Sequence, residues 1–435
     1  MNQPDPSSSS LKRSLSLFDV VALGVNGVVG QGIFFVPALA VAKSGPSAII
    51  ALALGALICL LISLCFAEVG SRYRGTGGAY LYAREAYGDF VGFEVGWMTC
   101  LVAMTAWAAL ANGLVTKALA PLLDQWGFAL SPMMVTLLPI IMMGLLSVIN
   151  MLGAKWGATL STILSLLKLT PIFLVILVGL PQLSVENFTP FAPHGVSSLG
   201  ETTLMLLYAY VGFETLVVPA GEMNNPRRAV PLALITVMSV IALIYIAVFA
   251  VSIGVLNDLA SSKNPIAEAA STLLGPVGGV MIAYGIFCSV LGTNAAAAMV
   301  SPRRIFAFAE GGHLPRLFAY VHPSTGAPIY AISALFIGSS LLSLSGSFED
   351  LAVMSVVARF CQYIPTCLAV ITLRREGPAP FTLPGGGLIP VITLLACVGL
   401  LANSSPRKLL FGAGALLVGG LCYGGMLIYR QQAQR

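Results

Sequence analysis

Charge is what this sequence lacks. Aspartate, glutamate, lysine and arginine make up only 9% of its 435 residues, against about a quarter in a soluble domain, so a water-soluble globular protein is excluded. Histidine is scarcer still. His194, His313 and His322 are the whole complement, they fall in different loops, and no metal-ligand spacing occurs. A membrane-embedded metalloenzyme has nothing to build on, and neither a metal nor a cofactor is expected. The eight cysteines include no Cys-x-x-Cys pair and lie in apolar stretches, where thiols pack rather than form a disulfide frame. No Walker-type loop appears, which argues against an ATP-driven pump, and no repeated filter motif, which argues against a channel. The first apolar run continues into a full span without a small-residue cleavage site, so no cleavable signal peptide is expected.

What is present is hydrophobic: 57% of the chain. Since a span needs about 20 apolar residues, the sequence reads as an all-α polytopic membrane protein with twelve spans. They lie near 17–42, 46–70, 88–120, 132–150, 156–181, 197–220, 229–256, 276–308, 327–345, 349–373, 388–404 and 407–429. Residues 1–14 form a polar, serine-rich cytoplasmic tail, and 15–435 a single transmembrane domain. The net charge of +5 is informative through its placement and does not indicate a nucleic-acid partner. With the N-terminus inside, fifteen lysines and arginines fall on the inner side and five on the outer, while Lys168 and Arg359 lie within spans. That bias puts both termini in the cytoplasm and the protein in the cell (inner) membrane.

Leu23 to Phe35 reads Leu-Gly-Val-Asn-Gly-Val-Val-Gly-Gln-Gly-Ile-Phe-Phe, with four glycines in nine residues at the centre of span 1. Glycine weakens a helix interior by roughly 1 kcal/mol relative to alanine. Unwound backbone at membrane depth is tolerated only where it faces protein or a cavity, which is what a solute site requires. Close helix packing through small residues is the other reading. A second break favours the first: span 6 carries Gly212 and Glu214 at its centre, about 182 residues further on. Spans 2 and 7, 3 and 8, and 5 and 10 are offset similarly, so spans 1–5 (15–181) and 6–10 (197–373) read as two copies of one unit. Five is odd, so the second copy is inverted. Spans 11 and 12 (388–429) fall outside the repeat.

Several short motifs occur in order. They are Gly30–Phe34 (Gly-x-Gly-Ile-Phe), Glu68 followed by Tyr80, Gly212-Phe213-Glu214, Asn225-Pro226-Arg227-Arg228, and Arg304 followed by Leu314-Pro315. Together they resemble the amino acid–polyamine–organocation permeases, from span 1 to the end of span 10. The resemblance implies a leucine-transporter-like fold with discontinuous helices 1 and 6. It also implies secondary active transport of an amino acid by alternating access, through proton-coupled symport or exchange. A polyamine or organic-amine transporter and a non-transporting nutrient sensor on the same fold are the alternatives. Two residues depart from the family pattern: Gln31, where a small residue is usual, and Arg74, where proline is frequent.

A zwitterionic solute needs donors for its carboxylate and acceptors for its ammonium. Where span 1 resumes after Gly30, the amides of Gln31, Gly32 and Ile33 are the candidate donors, since the start of a half-helix attracts anions. Carbonyls of Val28, Tyr208 and Val211 are the candidate acceptors at the breaks. Tyr208 and Phe213, flanking Gly212, would shape the pocket, while Tyr210 reads as a packing aromatic. Gln31 either bonds a polar substrate side chain or shrinks the pocket. Lys168 sits about thirteen residues into span 5, too deep to reach the interface. By the resemblance it occupies the place of a coupling cation between spans 1 and 8, bridging carbonyls near Gly24–Gly27 to Ser289 or Thr293. It is either a proton carrier or a fixed brace. Glu214 suits proton coupling, whereas Glu68 and Glu94 serve structure or gating. Inversion relates Lys168 to Arg359, so if the lysine lies beside the first break, the arginine should lie beside the second and meet Glu214.

Overall fold

The first helix begins where its cap dictates. The Asp19 amide donates to the Ser16 hydroxyl at 3.2 Å, and the Ser16 amide donates to the Asp19 carboxylate at 2.9 Å. This reciprocal pairing satisfies two donors that a helix start leaves orphaned. Helix α1 (Leu17–Val28) runs from there into the glycine cluster, and α2 (Gly32–Ser44) resumes beyond it. The computed structural model describes residues 11–30, 32–124, 126–345, 348–402 and 406–433. Gln31 lies outside the described residues, as does the side chain of Tyr208.

Helices α3 (Ala48–Arg72), α4 (Ala79–Tyr87) and α5 (Asp89–Gly113) follow, the last continuing through a π-helical turn at Leu114–Leu119 into α6 (Ala120–Asp124). Then come α7 (Pro132–Met151), α8 (Ala154–Gly179) and α9 (Ser198–Leu207). The later part holds α10 (Pro226–Val255), α11 (Pro265–Leu274), α12 (Pro276–Glu310) and α13 (Ile329–Ser345). It ends with α14 (Phe348–Leu373), α15 (Leu388–Ala402) and α16 (Pro406–Ala433). Proline opens α10, α11 and α12, where its missing N–H costs nothing because the first helical donors have no partner anyway. The protein is all-helical. Among the described residues, extended backbone pairs only in a bridge between Leu15 and Met223.

Seven helical stretches among the described residues are long and apolar enough to cross a bilayer: Val36–Arg72, Asp89–Asp124, Pro132–Met151, Ala154–Gln182, Pro226–Val255, Pro276–Glu310 and Leu409–Ile428. Leu17–Val28, Ile329–Ser345 and Leu388–Ala402 are shorter apolar helices. The multi-pass character is also written on the outside. Ile141, Leu145 and Val148 on α7, Leu166, Phe173 and Leu177 on α8, and Leu417 and Leu421 on α16 are all exposed. A soluble monomer does not carry apolar area on this scale.

The second half of span 6 is where the sequence misleads. A span to 220, broken near Gly212 and then resuming, was expected, but α9 stops at Leu207. Beyond it lie only 3-10 turns at Tyr208–Tyr210, Phe213–Thr215 and Ala220–Glu222. Gly212, with φ +123°, turns the backbone out of the helix, and Pro219 cannot donate to a continuing ladder. Helices α4 and α11 were not anticipated, being too short to register as spans.

Three packing relations position the interior. Helix α3 lies along α10, α8 along α12, and α5 along α14. Helix α1 is enclosed by α8, α10 and α12 and touches the turn at Phe213–Thr215. Its glycines divide two tasks. A methyl at Gly24 would meet Leu216 at 2.7 Å and one at Gly27 would meet Thr215 at 2.9 Å, so these two allow close packing. The cluster beyond them carries the break.

Candidate substrate and coupling site

The two breaks touch. A Cβ at Gly212 would stand 2.2 Å from the Gly27 carbonyl oxygen, a separation that no side chain permits. Span 1 and span 6 therefore cross backbone to backbone where each loses its helix. Gly32 and Ile33 open α2, so their N–H groups have no partner within it. The side of Gly30 where a Cβ would stand faces the Thr293 hydroxyl, 3.5 Å from that point.

The carbonyl end of α1 is held by side chains. Lys168 Nζ donates to Val29 O at 2.6 Å and to Val25 O at 3.3 Å. Ser289 Oγ donates to Val29 O at 2.9 Å and Thr293 Oγ1 to the same oxygen at 3.5 Å. The longer lysine bond, to Val25, falls within the expected Gly24–Gly27 stretch, and the shorter one lies a turn further along at Val29. Lys168 from α8, and Ser289 and Thr293 from successive turns of α12, converge on the Val29 carbonyl. Val28 also departs from expectation, because its carbonyl already accepts the Tyr245 hydroxyl at 3.3 Å. The same oxygen accepts the Gly30 amide at 2.9 Å, so both of its lone pairs are taken while the breaks are in contact.

At the second break, Glu214 is fully buried and fully engaged. Arg359 Nη1 donates to Oε1, while Tyr363 OH at 3.0 Å and the Gly212 amide at 3.1 Å donate to Oε2. Arg359 therefore meets Glu214, the contact expected of it from the sequence. Phe213 departs from its expected position. It is buried, stacked on Tyr363 at 5.6 Å and set edge-on to Phe66, so it braces the Glu214 cluster from behind. Tyr210 packs on Tyr245 at 5.2 Å as an interior aromatic. Val211 ends the 3-10 turn in extended backbone.

A cavity of about 50 Å³ lies between the breaks, lined by Gly27, Gly212, Thr215, Thr293, Trp107, Arg304 and Arg359 among others. Water occupies about 30 Å³ per molecule in the liquid, so this space holds one or two waters and no amino acid. Of the residues named from sequence, Gly212, Thr293 and Arg359 line it. Val28, Ile33 and Phe213 are buried in the wall behind. A solute therefore requires the breaks to separate.

One end of the bundle carries buried ion pairs. Arg303 on α12 binds Glu222 with two nitrogens, at 2.6 and 3.0 Å, both side chains out of contact with solvent. Arg374 holds Glu68 of α3 through two bonds of 2.6 Å. Ser14 and Leu15 donate to the Glu222 carbonyl at 2.9 and 3.0 Å, pinning the start of the chain to the end of span 6. Arg303 and Arg304, counted from sequence with the inner-side cations, are instead 0% and 5% exposed. A signal was available: Glu68 and Glu214 stand in apolar stretches, and Glu68, Glu214 and Glu222, all buried, each take an arginine. At the other end Lys43 pairs with Glu201, both well exposed. Glu94 lies apart, against Gly419 of α16.

Known proteins resemble this chain along most of its length. The family model for amino acid permease matches residues 15–409. The serine/threonine exchanger SteT of Bacillus subtilis (strain 168) is 31% identical over 400 residues, 90% of this chain and 90% of its own. The branched-chain amino acid permease BcaP of the same organism is 27% identical over 417 residues, 91% and 88% of the two chains. Cationic amino acid transporter 4 of Homo sapiens is 28% identical over 395 residues, 87% of this chain and 62% of its own. With a match running from the capped start of α1 into α16, the chain belongs to the amino acid permease family of the amino acid–polyamine–organocation superfamily, whose members are permeases and not enzymes.

Proposed function

We propose that this protein is a secondary active amino acid transporter of the cell membrane that works by alternating access, with both termini in the cytoplasm. The observation that carries the reading is the contact of two broken segments at Gly27 and Gly212, with Lys168 beside one break and the Glu214–Arg359 pair beside the other. In this reading the chain has twelve spans arranged as a five-plus-five inverted repeat. Support comes from the packing. If span n corresponds to span n+5, the contact of α8 with α12 (spans 5 and 8) is the counterpart of α14 with α5 (spans 10 and 3). Likewise α1 with α10 matches α9 with α3, and the α3–α10 contact maps onto itself.

The solute carboxylate binds the amides of Gly32 and Ile33, with Gln31 beside them. Its ammonium binds carbonyls of Val28, Tyr208 and Val211 once the breaks part. Lys168 holds the end of α1 in the place of a metal cation. Glu214 and Arg359 couple the movement of span 10 to span 6, by proton symport or by obligatory exchange. The test is uptake by the purified protein in proteoliposomes, with and without an imposed pH gradient. The activities named for the relatives supply the first panel of serine, threonine, branched-chain and cationic amino acids. Gly32→Leu should abolish binding while leaving insertion intact, because its side chain fills the space of the carboxylate. Unchanged affinity in that variant would remove the amides of α2 from the site.

A further inference from the structure

We propose that Arg304 makes the inner wall of the cavity a binding station for a carboxylate of the carried solute. The inference rests on the transport reading and adds a chemical preference to it. Arg304 is 5% exposed and lines the cavity together with Arg359. Its hydrogen bond to protein runs from Nη1 to the Thr99 carbonyl at 3.4 Å, long and to a neutral acceptor. Its Nε is buried with no partner at all.

The other buried cations are treated differently. Arg303, one residue earlier on α12, has both oxygens of Glu222; Arg374 has both oxygens of Glu68; Lys168 has two carbonyls. The carboxylate nearest the cavity gives Arg304 no hydrogen bond, because Glu214 already receives Arg359 on one oxygen and Tyr363 and Gly212 on the other. The wall therefore presents the under-bonded Arg304 beside a carboxylate whose oxygens are already taken. A buried guanidinium without an anion is strongly disfavoured, and its planar fork of donors matches a carboxylate better than any other common partner. Ser301, one turn before Arg304 on the same face of α12, adds a hydroxyl to the same wall.

Position separates this station from the amides of α2. Thr293, which faces Gly30, precedes Arg304 by eleven residues on α12, about 16 Å along the axis at 1.5 Å per residue, less what the side chain recovers by leaning back along the helix. Two carboxylates fit the station: that of an acidic side chain on a bound solute, or the α-carboxylate of any amino acid leaving the breaks.

The test measures binding of glutamate, aspartate, glutamine, asparagine and serine to the full chain in nanodiscs, for the wild-type protein, Arg304→Gln and Arg304→Lys. Thermal melting of each variant verifies folding. If the station takes a side-chain carboxylate, the wild-type protein prefers glutamate or aspartate over its amide by at least tenfold. Arg304→Gln then erases that preference while sparing the neutral amino acids, and Arg304→Lys keeps part of it. If the station takes the α-carboxylate, Arg304→Gln weakens all of them alike and Arg304→Lys again recovers part. A folded Arg304→Gln protein that binds every amino acid as the wild type does overturns the station and leaves the transport reading standing. So does an effect confined to chloride, titrated in parallel. A wild-type protein that binds no amino acid overturns both.

Discussion

At the residue scale, three acids and three arginines account for much of the buried charge, and each pair ties a different piece of the chain. Glu214–Arg359 is the one placed to act in a cycle, because it joins the broken segment after α9 to α14 and borders the cavity. Neutralising Glu214 removes the carboxylate that Arg359 binds beside Arg304, and neutralising Arg359 leaves Glu214 with only the neutral donors Tyr363 and Gly212. A double-mutant cycle of Glu214→Gln and Arg359→Gln should therefore be non-additive. Each single change should lower the melting temperature and flatten the pH dependence of uptake. The double should recover part of both, with a coupling of about 0.5–3 kcal/mol. Additive effects on stability and on the pH midpoint would mean that the pair does not act as a unit. The meeting of these two side chains was legible because inversion of a repeat is a geometric rule that carries one buried cation onto another. The burial of Arg304 was not legible. An Arg-Arg pair beside a loop reads as surface charge, and only the helix, which turns consecutive residues about 100° apart, separates the arginine that finds Glu222 from the one that finds the cavity.

At the element scale, the breaks show what a glycine pattern can and cannot tell. The interruption of span 1 followed from four glycines in nine residues, and the structure divides them into packing glycines at Gly24 and Gly27 and a break beyond. The break in span 6 was legible from Gly212, but its failure to resume as a helix was hidden, because Phe-Glu-Thr-Leu-Val-Val is as apolar as any helix core. Gly212 and Pro219 interrupt it locally, and the crossing with Gly27 adds a contact with a distant segment. Gly212→Ala tests this directly. The substitution places a methyl in a left-handed conformation at φ +123° and against the Gly27 carbonyl, so it should force the two breaks apart and abolish substrate binding. Gly200→Ala in α9, which meets nothing within 4 Å, is the control. It should leave binding unchanged and be neutral or stabilising by up to about 1 kcal/mol. Equal effects of the two changes would show that the crossing of the breaks is not what the site depends on.

At the scale of the whole molecule, the two ends of the bundle are closed unequally. One end is tied by Arg303–Glu222 and Arg374–Glu68 and by the bonds from Ser14 and Leu15 to Glu222. The other has the exposed Lys43–Glu201 pair, of a kind worth little in water. With the cavity also collapsed to one or two waters, the end bearing Arg374 is held shut chiefly by charge pairs that join α3 and α12 to segments outside them. These pairs can exchange partners with water when the helices part, so they act as a latch rather than as packing. Arg374→Gln should release it. Glu68 is then left with the Leu383 amide at 2.8 Å as its remaining bond to backbone, and the balance shifts toward a state open on that side. Couplings of this kind are typically worth about 1–3 kcal/mol, or 5- to 150-fold in population. The readout is a thiol introduced by Ser301→Cys in the cavity wall, in a background cleared of the eight native cysteines, labelled by a membrane-impermeant maleimide supplied to one face of the membrane at a time. Arg374→Gln should speed labelling several-fold from the face that carries Arg374 and not from the other. Lys43→Gln, which removes only an exposed pair, should change neither rate by more than about twofold, the scale of its contribution. Equal acceleration from both faces would mean that the substitution loosens the bundle as a whole, and no acceleration would mean that the Glu68 pair is not part of what keeps that end closed.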